Sequence, residues 1–422
     1  MRAAQRHLQA PSRLWPFGAR DDIITVLDLG AQKVACAIVS LASPRFGLDV
    51  GAKSIRILGS AAVRSSGFSG GQIINLVAME SSIRRAVAQA EAQAGITVED
   101  VLVTGQFLGL NAQTFEAKLG GGNTLASRED MSAIASAAEE QCYSAHRKLL
   151  HLYTAPGEIE NEDGNFVPRG EIEVVAVSMP LRGVRQIAAC LAKSLLTAHG
   201  YIAGPVAAAL SVTTPLERSA GILIIDMGAS STGYALFSRG IPSAVECIPI
   251  GGHHISEDLA RTFKLRKFEA ERLKIRYGSV YDGLQADIDL PVANGETREP
   301  ISKFSLNHLI RSNASRIFTA INERLKGAGY SMPIGGAVLV GGGSVLPGVR
   351  ELASYLLASE VKVAKPAALN GLNGAPAMSA LVGACLYASR HQSPGEMRHV
   401  PGIASQDSSY ASRISQWLRA SF

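Results

Sequence analysis

Short apolar runs alternate along the chain with longer stretches in which apolar residues recur every three or four positions. The runs are typical of buried strands, and the three-to-four spacing is typical of amphipathic helices. We predict strands at Ile23–Leu27, Lys33–Leu41, 48–63, Val98–Thr104, Gly221–Ile225 and Ala337–Val340. We predict helices at Asn75–Ala94, Arg128–Tyr143, Val184–His199, Phe268–Arg276, Leu306–Lys326 and Leu346–Leu357. This mixture predicts a multi-domain α/β protein, in which residues 105–178 form a small inserted module.

One local pattern occurs twice, about half the chain length apart: an apolar strand, an Asp-x-Gly turn and a second apolar strand. Glycine permits a tight turn and close approach of backbone N–H groups to phosphate oxygens. An aspartate at the strand end suits Mg²⁺ held through water, so Asp28 and Asp226 are the predicted metal residues. Two such hairpins face to face predict a clamp for a di- or triphosphate. Its predicted contacts are Asp28, Gly30, Ala31, Gln32, Lys33, Asp226, Gly228, Ala229, Ser230, Ser231 and Thr232.

A third glycine-rich loop, Gly341-Gly342-Gly343-Ser344, follows the predicted strand Ala337–Val340. It precedes the predicted helix Leu346–Leu357, with Pro347 in its first turn. Strand, glycine-rich turn and helix is the arrangement at the nucleotide edge of doubly wound sheets. Neither the P-loop nor the G-x-G-x-x-G spacing is present, because no Gly-Lys-Ser/Thr follows and Val345 and Leu346 stand near the last position.

Two Asp-x-Gly hairpins followed by Gly-Gly-Gly resemble the phosphate and adenosine motifs of the actin/Hsp70/sugar-kinase superfamily. This resemblance implies two ribonuclease-H-like lobes around a cleft that binds ATP and Mg²⁺. The segment that begins at Gly251-Gly252 is similar to the one that follows the second phosphate motif. Residues 270–278 resemble the helix whose Glu and Lys contact ribose and adenine, which implies Glu271 and Lys274 as nucleotide contacts.

Within this superfamily the chain resembles FtsA, the bacterial cell-division actin homologue. Three features carry this resemblance. The insertion at 105–178 falls early in the chain, in the position of that family's 1C subdomain. The segment Asp28–Val34, which contains Lys33, is similar to that family's motif, and the C-terminal segment at 408–422 is the third feature. Composition predicts a disordered basic arm (1–21), a flexible linker (389–407) and an amphipathic helix (408–422). Between them the resemblance implies lobe I core 1A (22–104), 1C (105–178), a return to lobe I (179–203), lobe II core 2A (204–241), subdomain 2B (242–310) and the remaining lobe II core with a closing 1A helix (311–388).

On a helical wheel, the apolar residues among the last fifteen fall on one stripe, and two arginines lie beside that stripe. A basic amphipathic helix with aromatic residues suits an anionic bilayer surface, and avidity from polymerisation would strengthen it. The predicted membrane residues are Tyr410, Arg413, Ile414, Trp417, Leu418, Arg419 and Phe422.

The FtsA resemblance also implies partners: an ATP-bound filament of the chain itself, inner-membrane lipid, the C-terminal tail of FtsZ, and later division proteins at 105–178. It places the protein on the cytoplasmic face of the bacterial membrane at the division site. FtsZ docks on subdomain 2B in that family, which implies Arg261, Lys264, Arg266 and Lys267 as candidate contacts.

The chain departs from the superfamily pattern where hydrolysis is concerned. Gly233 stands where a second Asp is usual, and Gly204 stands where Hsp70-like proteins have a Glu. A hydrolytic water therefore lacks an obvious base, so we expect ATP binding with slow or negligible hydrolysis and assign no catalytic residue. A pilus-assembly PilM-like adaptor and a phosphotransferase of the same superfold stay open as alternatives.

Composition agrees with this picture. The 422 residues are 47% hydrophobic and 18% charged, which predicts a large core. A net charge of +5 is too small for this length to indicate a nucleic-acid partner. No apolar window of about 18 residues predicts a spanning helix.

Overall fold

The computed structural model describes residues 22–42, 54–118, 128–160, 166–281, 300–369, 371–372 and 374–390. Two five-stranded mixed sheets organise these residues. The first sheet contains β1 (Asp22–Leu29), β2 (Lys33–Ala42), β3 (Ser54–Arg64), β6 (Asp100–Gly105) and β10 (Thr197–Ala203). Its strand order is β10-β6-β1-β2-β3. We call it and its helices lobe I.

The second sheet repeats the first. It contains β11 (Ile222–Met227), β12 (Thr232–Ser238), β13 (Ile241–Ile248), β14 (Ala337–Val340) and β15 (Val361–Val363), in the order β13-β12-β11-β14-β15. β1 and β11 hold equivalent places, each with an antiparallel hairpin partner on one side and a parallel strand on the other. The predicted α/β architecture of two similar lobes is confirmed, and we call this half lobe II.

Helices and two smaller sheets surround the large sheets. The helices are α1 (Leu76–Ala94), α2 (Arg128–Ser144), α3 (Leu181–Lys193), α4 (Gly204–Val212), α5 (Pro215–Ala220), α6 (Gly252–Thr262), α7 (Lys267–Tyr277), α8 (Lys303–Gly327), α9 (Val349–Leu357) and α10 (Ser379–Arg390). β4 (Phe68–Ser69) and β5 (Gln72–Ile73) form a short hairpin. β7 (Asn111–Lys118), β8 (Arg147–Glu160) and β9 (Phe166–Pro180) form a three-stranded sheet in the inserted region.

Local sequence explains where α1 begins and ends. Asn75 caps its start, because the Asn75 side chain accepts a hydrogen bond from the Ala78 N–H. Gly95 ends it in the left-handed conformation at φ 69°. Between them the buried face carries Met79, Ile83 and neighbours at the predicted spacing. The helix predicted at Asn75–Ala94 is therefore confirmed.

The helix predicted at Val184–His199 is wrong in its second half. α3 ends at Lys193, and Leu195 has a φ of 58°, which breaks the helix. Residues from Thr197 onward form β10, which pairs in parallel with β6. Pairing within the sheet therefore overrides the local helical pattern.

Several elements cross the predicted domain boundaries. β9 continues beyond 178 to Pro180, and α8 spans the boundary at 310. β13 begins at Ile241 and runs past the boundary predicted there, yet it pairs along its length with β12 and so belongs to the lobe II sheet. The arm predicted at 1–21 and the amphipathic helix predicted at 408–422 lie outside the described residues. Of the linker predicted at 389–407, Ser389 and Arg390 are the last residues of α10, and the rest lies outside the described residues.

The hydrophobic core runs continuously from one lobe to the other through α4. Leu27 and Val103 of the first sheet, Ala208 of α4, and Ile224 and Val338 of the second sheet belong to one buried cluster. α10 packs across α4 from the opposite side, in a cluster with Ala207, Leu381 and Cys385. The carboxyl ends of β1 and β6 lie side by side in the first sheet, and those of β11 and β14 lie side by side in the second. A hydrogen bond from Gln106 to Asp226 joins these two edges, and we call the region between them the cleft.

Candidate nucleotide-binding site

The two predicted hairpins have the same turn. In the first, the Gly30 N–H donates to the Lys33 carbonyl oxygen at 3.1 Å; in the second, the Gly228 N–H donates to the Ser231 carbonyl oxygen at 3.0 Å. A Cβ on Gly30 would lie 2.9 Å from the Lys33 oxygen, and one on Gly228 would lie 2.7 Å from the Ser231 oxygen. Both turns therefore require glycine, as the repeated motif predicts.

The third loop lies directly against the second hairpin. Gly341 has a φ of 84°, and any Cβ there would overlap the Asp226 carboxylate. The Ser344 hydroxyl donates to the Gly341 carbonyl oxygen at 2.8 Å. The helix predicted at Leu346–Leu357 begins later than expected: a 3₁₀ turn covers Gly342–Val345, and α9 begins at Val349 after Gly348 at φ 81°. Pro347 therefore precedes α9 rather than entering its first turn.

The hydroxyl groups predicted as phosphate donors are engaged within the protein. The Ser230 hydroxyl accepts from the Gly70 N–H at 2.8 Å. The Ser231 hydroxyl donates to Oε1 of Gln106 at 2.9 Å, and the Thr232 hydroxyl donates to the Ile250 carbonyl oxygen at 2.8 Å. These contacts fix the shape of the second hairpin.

The start of α6 is bonded to the second hairpin. The Gly252 N–H donates to the Gly228 carbonyl oxygen at 3.1 Å, and the His253 N–H donates to the Ala229 carbonyl oxygen at 2.5 Å. A Cβ on Gly251 would lie 2.7 Å from the Gly228 oxygen. The predicted residues Gly251 and Gly252 are thus brought against the second hairpin, and the first two N–H groups of α6 are already bonded to carbonyl oxygens of that hairpin.

Glu271 and Lys274 of α7 form a partly buried pair that supports α6. Lys274 Nζ donates at 2.8 Å to Glu271 Oε2, at 2.9 Å to the Ser256 hydroxyl and at 2.8 Å to the Gly252 carbonyl oxygen. Burial opposes the charge on Glu271, but the Lys274 charge and hydrogen bonds from Lys274 and Ser256 hold the Glu271 pKa below its ordinary value. Both side chains therefore position the α6 N-terminus.

We expect Lys274→Ala to destabilise the chain by about 3 kcal/mol, because it leaves Glu271 and the Gly252 carbonyl without their shared partner in a partly buried site. Lys267→Ala on the same helix is the matched control: its pair with Glu257 is exposed, so the expected change is below about 1 kcal/mol. Urea unfolding of both variants measures the difference. Equal midpoints would contradict the supporting role of Lys274.

Asp28 and Asp226 form an acidic pair at the base of the cleft, each about 8% exposed. Lys33 Nζ lies 3.2 Å from Asp28 Oδ2. Burial raises the pKa of Asp226 to about 6; a hydrogen bond from Gln106 and the Lys33 charge lower it, and the Asp28 charge raises it further. The Asp28 charge disfavours ionisation of Asp226, and a divalent cation between the two carboxyl groups and the phosphates would relieve that repulsion. Within the described ranges no group of three or more His, Cys, Asp or Glu forms a metal site.

Three lobe I residues contact the second hairpin or α6: Gln106, Gly70 and Gln32. Of these, the sequence predicted a role for Gln32 alone. Gln106 follows β6 and donates through Nε2 to the Asp226 carbonyl oxygen at 2.8 Å. Gly70, in the β4–β5 hairpin, donates to Ser230. Gln32 Oε1 lies 3.1 Å from His253 Nε2. No motif marks Gln106 or Gly70; the single signal for Gln106 is a polar residue directly after a buried strand.

The candidate FtsZ contacts lie on or beside α6 and α7 in lobe II. Arg261 pairs with Asp258, Arg266 with Glu269 at 2.8 Å, and Lys267 with Glu257 at 2.5 Å. Lys264 lies between the helices at φ 50°. Acidic neighbours thus offset most of this positive charge, and the docking role stays a prediction. The predicted membrane residues lie outside the described part of the chain.

Comparison with known proteins places these features in context. The family model "Cell division protein FtsA" matches residues 223–383. Curated FtsA proteins from Rhizobium meliloti and Agrobacterium fabrum are 28% and 29% identical to the chain, each covering 97% of both sequences. FtsA from Pseudomonas aeruginosa is 25% identical over 95% of this chain and 98% of its own. These matches confirm the predicted resemblance to FtsA.

One solved structure, titled "PilM-PilN type IV pilus biogenesis complex", matches with a TM-score of 0.59 at 16% identity. It covers 87% of this chain and 98% of that chain. At this identity the likeness shows a shared fold, and it does not favour the pilus alternative. Separately, no helix among the described residues has both the length and the hydropathy that a membrane crossing needs.

Proposed function

We propose that this chain, a relative of the FtsA cell-division proteins over almost its whole length, is an ATP-binding, actin-like division protein. The observation that carries the proposal is the convergence of three elements on one cleft. These are the hairpin at Asp28, the hairpin at Asp226 and the loop at Gly341, each shaped so that a side chain would not fit. That arrangement suits a polyphosphate more than any side-chain-lined substrate pocket.

The cleft residues fit ATP with Mg²⁺. The turns at Gly30 and Gly228 would hold the phosphates, and Asp28 and Asp226 would hold the Mg²⁺ through water. The metal, when bound, neutralises phosphate charge. Lys33 supplies a cation beside the first hairpin, and the loop from Gly341 to Ser344 would lie against the nucleoside.

Slow turnover follows from the same residues. Gly204 and Gly233 provide no carboxylate to orient or deprotonate an attacking water. We therefore propose that ATP binding, more than hydrolysis, controls the protein. A steady turnover above about 1 s⁻¹, the lower end for typical enzymes, would contradict this.

The FtsA relationship supports a role at the division site. We propose that ATP-bound chains polymerise on the cytoplasmic face of the membrane, hold the FtsZ tail at the region of Arg261–Lys267, and recruit later division proteins through 105–178. Attachment to lipid would come from the stripe that contains Ile414, Trp417 and Phe422, with Arg413 and Arg419 facing anionic headgroups.

Co-sedimentation with anionic vesicles in ATP and Mg²⁺ tests the anchoring. We expect the full chain to pellet with the vesicles and a chain truncated after Gln406 to stay in the supernatant, because the truncation removes the whole apolar stripe. Uncharged vesicles are the control, and binding of the full chain to them should be weaker. Equal pelleting of the full and truncated chains would contradict the proposal.

A further inference from the structure

Gln106 links the two lobes at the centre of the cleft. It directly follows β6, whose carboxyl end lies beside those of β1 and β10. Only 9% of the surface of Gln106 is exposed to solvent. The side chain leaves lobe I and makes its hydrogen bonds in lobe II, so this one residue spans the nucleotide cleft at the second hairpin.

Both halves of the Gln106 amide are used. Nε2 donates to the Asp226 carbonyl oxygen at 2.8 Å, and Oε1 accepts from the Ser231 hydroxyl at 2.9 Å. The first bond holds the end of strand β11, and the second holds the turn that follows. A hydrogen bond from Gln106 also lowers the pKa of the Asp226 carboxyl against the effect of burial.

The two glycines that replace superfamily carboxylates both lie against Gln106. A Cβ on Gly233 would lie 2.5 Å from Pro205 Cγ and 3.3 Å from Gln106 Cγ. A Cβ on Gly204 would lie 2.8 Å from the Gly105 carbonyl and 3.2 Å from the Gln106 nitrogen. The Pro205 ring at Gly233, and the Gly105 and Gln106 backbone at Gly204, therefore leave no space for an acidic side chain.

We propose that Gln106 is the positioning residue of the nucleotide site, a neutral amide from lobe I that sets the shape of the second phosphate hairpin through its two hydrogen bonds. This inference rests on the proposed ATP binding. An amide can donate to one main-chain group and accept from a hydroxyl at once, whereas a carboxylate can only accept.

Three variants test this role. Gln106→Ala removes both hydrogen bonds, Gln106→Glu keeps the size but not the donor, and Gln113→Ala is the control at an exposed strand position. ATP dissociation constants are measured in Mg²⁺ by titration calorimetry. We expect ATP to bind about tenfold more weakly to Gln106→Ala. A loss of this size corresponds to roughly one buried polar group that is left without its hydrogen-bond partner. Gln113→Ala should match the wild type.

A pH series on Gln106→Glu separates positioning from simple packing. The titratable and charged groups around the amide and its partners are Asp226, Asp28, Lys33 and Cys247. Burial and the two aspartates raise the pKa of a carboxyl introduced here. At pH 5.5 the protonated acid can donate to the Asp226 carbonyl, so its affinity relative to wild type should be nearly restored. At pH 8 the anion faces that carbonyl and the phosphates, and the relative affinity should fall below that of Gln106→Ala.

Amide hydrogen exchange in nucleotide-free protein supplies an independent readout. We expect faster exchange across 226–233 in Gln106→Ala and unchanged exchange in Gln113→Ala. Wild-type affinity of both Gln106 variants at both pH values, with unchanged exchange, overturns the inference. A wild-type chain that binds no ATP would instead overturn the proposed function, and the exchange result would then decide the positioning role alone.

Discussion

The Asp226→Asn variant is expected to be more stable than the wild-type chain above pH 6 and to bind ATP with Mg²⁺ far more weakly. Burial holds the folded pKa of Asp226 at about 6, above the ordinary value of 3.8. The folded chain thus keeps this proton longer than the unfolded chain, and stability falls as pH rises between these values. Asparagine carries no charge, so at pH 7.5 it should gain roughly 1–3 kcal/mol. At pH 4 the gain should vanish.

The same change removes a carboxylate proposed to hold Mg²⁺ through water, and a lost outer-sphere metal partner costs about 10–100-fold in affinity. Asp100→Asn is the control, since Asp100 is exposed at the opposite end of the first sheet. Chemical unfolding and ATP titration at pH 4 to 8 measure both effects. A variant that is less stable at pH 7.5 and binds ATP normally would contradict the place given to Asp226.

Gly383→Ala is expected to destabilise the chain by about 3 kcal/mol or more. A Cβ at Gly383 of α10 would overlap the backbone oxygen of Ala207 in α4, so one helix must move. Alanine favours helices over glycine by about 1 kcal/mol, which offsets part of this cost. Because α4 begins at Gly204 beside Gln106, displacement of α4 should also weaken nucleotide binding.

Gly327→Ala is the control for this substitution. Gly327 is the last residue of α8, and nothing lies within 4 Å of a Cβ built there. Its expected effect is neutral or stabilising by less than about 1 kcal/mol. Thermal unfolding of both variants gives the comparison, and similar melting temperatures would show that α4 and α10 do not pack as closely as the structure indicates.

The duplicated hairpin made the architecture predictable. Each copy combines an apolar strand with a turn that only glycine fits. At Asp28 and Asp226 the structure that the local sequence favours is therefore the one that the sheet requires. The predicted strands around both turns are confirmed. Where local pattern and tertiary contact disagree, prediction fails: residues 197–199 read as helix but pair with β6, and Leu346 reads as a helix start although Gly348 delays it.

Gln106 could not be found from sequence because its role depends on distance in space alone. Its partners stand at Asp226 and Ser231, more than a hundred positions away. The departures at Gly204 and Gly233 were visible in the sequence, but what fills their space was not. Likewise, Ser230 looked like a phosphate donor, and only the structure shows it accepting from Gly70.

Titration of the full chain with ATP, with and without Mg²⁺, tests the central claim most directly. Two hairpins and one glycine loop that form a single cleft predict saturable binding of one ATP per chain, weakened when Mg²⁺ is removed with a chelator. Asp226→Asn should show little further loss when Mg²⁺ is removed. Absence of saturable binding, or binding that neither Mg²⁺ nor Asp226 affects, would contradict the account.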